Sequence, residues 1–91
     1  MAEVHLRRRH GVGLKVAKAA AQKVADDLAE EFGMQASWDG DVLRLCRTGA
    51  DGELLVTRNG LQFDLRLGVL LAPLRARIEE RASATIDRHF S

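Results

Sequence analysis

Residues 38–68, WDGDVLRLCRTGADGELLVTRNGLQFDLRLG, set three turn signals between short runs in which apolar and polar residues alternate. Alternation puts apolar side chains on one face of a strand and polar ones on the other. Asp39-Gly40, the TGADG segment at 48–52 and Asn59-Gly60 supply the residue types that tolerate tight hairpin turns. The spacing predicts an antiparallel meander with strands at 34–38, 42–47, 53–57 and 61–67. In the last of these Leu61, Phe63, Leu65 and Leu67 face one way while Gln62, Asp64 and Arg66 face the other, so one side of the sheet is buried and the other wet.

Helical patterns flank the meander. From residue 14 to 32, Ala17, Ala20, Ala21, Val24, Leu28 and Phe32 recur at the spacing of one helical face, and Gly33 is the expected left-handed stop. After Gly68 the run VLLAP leads into a second helix with Pro73 in its first turn. Leu71, Leu74, Ile78, Ala82, Thr85 or Ile86, and Phe90 form its inner stripe, with Arg75 and Glu79 paired outside. A first strand is expected at 3–8, where Val4 and Leu6 alternate with His5 and Arg7. The order β-α-β-β-β-β-α predicts an α+β fold, an antiparallel sheet with two long helices packed on one face. Its 91 residues suffice for a single domain, 1–91, with one thin core.

The net charge of +1 gives no whole-molecule attraction to nucleic acid or anionic membrane. Cys46 stands alone, so no internal disulfide forms, and no Cys/His spacing resembles a zinc site. We expect no cofactor and no metal. The N-terminus lacks the apolar region of a secretory signal, and the longest apolar run, Val69 to Ala72, is too short to span a bilayer. A cytoplasmic location is the expectation.

Several groups are candidate sites. Arg7, Arg8, Arg9 and His10 precede Gly11-Val12-Gly13 at a helix start, where anions are favoured, but the lysine and Ser/Thr of a phosphate-binding loop are missing. A solvated strand end is the simpler expectation. The outer sheet face collects His5, Arg7, Arg44 and Arg66 around Asp64, a mildly basic surface. Single-stranded nucleic acid requires aromatic platforms there. The chain has no Tyr, and its three Phe and Trp38 are expected inside, so nucleic-acid binding is not favoured. His5, His10 and His89 share no spacing, Cys46 points outward without a paired base, and Asp39, Asp41 and Asp51 belong to turns. Enzyme activity is not expected, and no catalytic residue is assigned. Val69, Leu70 and Leu71 are consecutive and cannot all be buried against one face, so apolar surface is expected at that corner, marking the edge of the core, a homodimer contact or an amphiphile contact.

Taken together, a basic strand ending in LRRRH, then KVADDLAEEFG, WDGDVLRLCRTG, LQFDLRLG, VLLAPLRARIEE and a terminal IDRHF resemble the polyhydroxyalkanoic acid system protein family. These are small bacterial proteins associated with polyester storage granules. The resemblance implies a context and no catalytic signature: a non-enzymatic accessory protein that binds the granule surface or a granule-associated protein. The contact expected for it is Val69, Leu70 and Leu71, flanked by Arg75 and Arg77. Two alternatives are binding of, or catalysis on, a small acyl or acyl-CoA ligand, and nucleic-acid or regulatory binding through the basic sheet face.

Overall fold

The computed structural model describes residues 2–90. The elements are β1 (Ala2–Arg9), α1 (Gly13–Phe32), β2 (Gln35–Asp39), β3 (Val42–Arg47), β4 (Ala50–Val56), β5 (Gly60–Leu67), a 3-10 turn (Ala72–Leu74) and α2 (Arg75–Phe90). The strands form one antiparallel sheet in the order β1-β5-β4-β3-β2. This is the expected α+β order, with both helices on one face.

Strand alternation builds the core as the sequence dictates. Val4 and Leu6 of β1, Leu43 and Leu45 of β3, Leu54 and Val56 of β4, and the four apolar residues of β5 are all buried on the helix side. Phe63 is the largest of the fully buried side chains. Ala17, Ala21, Val24, Ala25 and Leu28 of α1 close over them, and the small alanines let the helix sit low on the sheet. Gly33 ends α1 at φ 71°, its N–H donating to the Ala29 carbonyl at 3.0 Å and that of Met34 to the Leu28 carbonyl at 3.4 Å. Arg47 Nη1 donates to the Phe32 carbonyl at 2.6 Å, placing a cation at the negative end of the same helix.

Three local expectations are corrected. The TGADG segment is not wholly a turn: only Thr48 and Gly49 turn the chain, and Ala50, Asp51 and Gly52 are already paired between β3 and β5. Gly52 is there for close approach, since a Cβ on it would meet the Asp64 carbonyl oxygen and lie 2.7 Å from Leu65 Cα. Met34 is buried ahead of β2, which starts at Gln35. Trp38 is not inside: every residue of this short edge strand is exposed, and the indole lies at the sheet margin with its Nε1 donating to Gln22 Oε1 at 2.7 Å. Lys18 Nζ stands 5.6 Å from the ring centroid.

Between the helices, Asp27 is only 4% exposed. Thr85 Oγ1 donates to its Oδ2 at 2.6 Å, while Lys23 and Arg81 lie 3.5 Å and 3.4 Å from its Oδ1. Burial pushes this carboxyl up, but the Thr85 and Arg81 hydrogen bonds, with both cations, outweigh burial and hold it below its ordinary value. A depressed carboxyl contributes stability above its unfolded pKa, and this contribution is lost as pH falls through the folded one.

Phe63→Ala should cost about 3 to 5 kcal/mol in denaturant melts. Gly52→Ala should destabilise by about 1 to 3 kcal/mol through overpacking, although the same change in an unobstructed strand is favourable; a melt equal to or above the parent's would contradict the close approach. For the buried acid, Thr85→Val should cost about 1 to 3 kcal/mol at neutral pH. It should also narrow the gap between the folded and unfolded Asp27 pKa values, so that less stability is lost on acidification below pH about 4, as urea melts across that range would report.

Candidate functional site

The chain leaves β5 at Gly68, whose N–H donates to the Gly49 carbonyl at 2.8 Å. The Gly68 carbonyl then accepts from Leu71 at 3.1 Å and from Ala72 at 2.9 Å, closing a tight turn. Leu71 points inward and packs on Gly49, where an added Cβ would lie 3.5 Å from its Cγ and Cδ1. The closed turn leaves Val69 and Leu70 outside, 82% and 75% exposed. Of the expected apolar contact, Val69 and Leu70 are therefore available, whereas Leu71 belongs to the core.

The two flanking arginines are held in different directions. Arg75 Nε donates to the Glu3 carbonyl at 2.7 Å, and its Nη1 lies 3.9 Å from Glu79. Arg77 Nη2 donates to Glu31 Oε1 at 2.8 Å and stands 5.9 Å from the centre of the Phe32 ring. Arg75 thus braces the start of β1, and Arg77 the end of α1. Arg8 Nη1 likewise donates to the Arg7 carbonyl, so guanidinium groups occupy two acceptors of the β1 strand. This blunts an edge that could otherwise pair with another strand.

Around His5, Arg44 and Arg66 the outer sheet face is charge-balanced rather than mildly basic, contrary to the expectation. Register places Glu3 beside Arg66 and Asp51, and His5 beside Asp64, Glu53 and Arg44. Arg44 pairs with Asp39 at 3.7 Å and Arg66 with Asp51 at 4.0 Å. The acidic residues were visible in the sequence, but reading Asp51 as a turn residue removed it from the face. Cys46 is exposed there between Gln35 and Asp51, with no histidine or cation among its cross-strand partners.

His5 is the focus of this face. Its Nδ1 lies 2.7 Å from Asp64 Oδ1 and its Nε2 3.5 Å from Glu3 Oε2, so both ring nitrogens face carboxylate acceptors. The bond to Asp64, then that to Glu3, raises the His5 pKa above 6.5. The His5 bond, opposed by burial and aided by Gln62, lowers that of Asp64. His10 instead has a structural place: Nε2 donates toward the Thr57 and Gly60 carbonyls at 2.9 and 3.2 Å, and its ring lies 4.9 Å from that of Phe90. Arg8 is also taken, with Nε donating to Asp87 at 3.0 Å and Nη2 to Ser83 at 2.8 Å. His89 Nδ1 lies 3.0 Å from the Thr85 carbonyl in its own helix. Among the described residues no group of three or more His, Cys, Asp or Glu side chains could hold a metal ion. No helix among them is long and apolar enough to cross a membrane.

The family described as "Putative polyhydroxyalkanoic acid system protein" matches residues 4–90. The chain belongs to this family. No curated protein matches it. Its fold is similar to the NMR structure of PA4090 from Pseudomonas aeruginosa, with a TM-score of 0.58 and 10% sequence identity over 97% of this chain and 83% of that one. At that identity the likeness is one of fold alone.

Nuclear magnetic resonance titration should find His5 with a pKa above 6.5 that returns toward this value in Asp64→Asn. Because the folded pKa is the higher one, the pair stabilises the fold fully below the unfolded pKa and progressively less as pH rises through the folded value. An unchanged His5 titration in Asp64→Asn would remove the contact.

Proposed function

We propose that this member of the polyhydroxyalkanoic acid system family is a non-enzymatic accessory protein that binds the surface of polyester storage granules in the cytoplasm. The observation that carries the reading is the Val69-Leu70 tip. Two large aliphatic side chains stand in solvent on a turn closed by backbone hydrogen bonds and anchored by Leu71. Exposed apolar side chains on a fixed turn suit contact with an apolar surface. The turn is already ordered, so docking costs little conformational entropy.

Burying a Val or Leu side chain contributes about 1.5 to 3 kcal/mol. Two of them support reversible rather than permanent attachment. On the outer face His5 is held by Asp64 and Glu3 rather than by Cys46, whose cross-strand neighbours are Gln35 and Asp51, so no imidazole is paired with the thiol to activate it.

Leu70→Asp should leave the thermal melt unchanged, since the side chain is exposed, and abolish co-sedimentation with washed polyester granules. Protein-free polyester particles should capture the parent equally well. Retention of Leu70→Asp on granules would overturn the tip as the contact, and capture by native granules but not by bare particles would assign the contact to a granule protein.

A further inference from the structure

At the other end of the sheet, Arg7, Arg9, Leu55, Thr57, Gly60 and Gln62 help line an open depression of about 550 Å³. We propose that it binds a small molecule carrying a diphosphate group.

Most cations of this chain are already engaged. Arg8, Lys18, Lys23, Arg44, Arg66, Arg75, Arg77 and Arg81 each have a carboxylate partner, and Arg47 caps backbone carbonyls. By contrast, the guanidinium groups of Arg7 and Arg9 make no hydrogen bond or close ion pair among the described residues, and Asp64 acts on Arg7 only through its charge at longer range. Both are exposed, and strand alternation puts them on the same outer face. Their Cα atoms are roughly 6.8 Å apart along the strand. Each long side chain can then take one phosphoryl group in a fork-like pair of hydrogen bonds, so two of them match two linked phosphates.

The floor between them is shaped by a missing side chain. Gly60 lies opposite Arg9, and a Cβ there would reach within 3.3 Å of the Arg8 carbonyl and 3.5 Å of Thr57 Oγ1. Glycine therefore keeps the ground beside Arg9 open. Leu55, 38% exposed in the next row, offers apolar surface to the rest of a ligand. Arg58 adds charge in the adjoining turn.

The surrounding charge limits the ligand's length. One row along the sheet from Arg7, Asp64 and Glu53 lie side by side, and Glu3 and Asp51 follow beyond them. An extended polyanion laid along the sheet would meet these carboxylates, whereas a diphosphate ends before them. The depression is also within the size range of small-molecule sites.

Calorimetric titration of the full chain with inorganic pyrophosphate and with ADP, at low salt, tests this. Saturable 1:1 binding of both is expected, weaker for inorganic phosphate. Arg9→Gln and Arg7→Gln should each weaken it about tenfold, the scale of one charge-assisted contact. Arg44→Gln, outside the depression, should bind as the parent does, and matching melts would show all three variants folded. Absence of saturable heat with pyrophosphate and ADP, or parent-like affinity in Arg9→Gln and Arg7→Gln, overturns the site. If anionic phospholipid vesicles or oligo(dT) displace ADP and bind more tightly through the same arginines, the small-molecule assignment is overturned in favour of an extended anionic surface. The Val69-Leu70 tip lies at the opposite end of β5, so loss of either property leaves the other measurable.

Discussion

The pairing of β1 with β5, from Ala2 opposite Leu67 to Arg9 opposite Gly60, joins the beginning of the chain to the end of the meander. Much of the structure depends on it. Because β1 occupies one edge of the sheet and β2 the other, α1 must carry the chain across the whole buried face. An alanine-rich inner stripe lets it do so at close range, over the leucines of β3, β4 and β5. The remaining strip is filled by α2, whose Ile78, Ala82 and Ile86 complete the core and whose Thr85 meets the buried Asp27 of α1.

The same pairing gives the molecule two chemically different ends. Where β5 finishes, Gly68, Gly49 and Leu71 lock a turn that ejects Val69 and Leu70. Where β5 begins, Gly60 opens the surface beside Arg9, and the turn containing Arg58 lies next to it. Eight residues of extended strand put these ends roughly 25 Å apart. Between them the outer face is a lattice of opposite charges in which His5, Glu3, Asp64 and Gln62 are joined by hydrogen bonds and ion pairs. An apolar tip with a charged sheet behind it is the feature on which the proposed granule contact rests.

The fold was largely legible because alternation and helical periodicity depend on near neighbours in sequence. Leu61 to Leu67 announced a one-sided strand, and Ala17 to Phe32 a helix with a small-residue face. What failed was local turn reading. Asp51 and Gly52 look like turn residues, yet the cross-strand approach of Asp64 and Leu65 requires a glycine inside β4. Trp38 was expected inside on hydrophobicity, but β2 is an edge strand, and an indole there finds Gln22 and Lys18 at the margin. The sites were less legible, since a run such as LRRRH does not say which arginine meets a carboxylate from elsewhere in the chain.

By itself the sequence determined the order of elements, the face each strand buries and the need for some apolar surface after Gly68, because these follow from side-chain period and from three consecutive aliphatic residues. Only the tertiary structure decided between the two places the sequence offered Leu71, the inner stripe and the exposed contact, in favour of the first, and showed that Arg8 and Arg66 are paired while Arg7 and Arg9 are not, and that the middle of the outer face is charge-balanced. The reason is physical. Ion pairing and exposure depend on register and on which elements meet across the fold, and both are set by contacts between residues far apart in the chain.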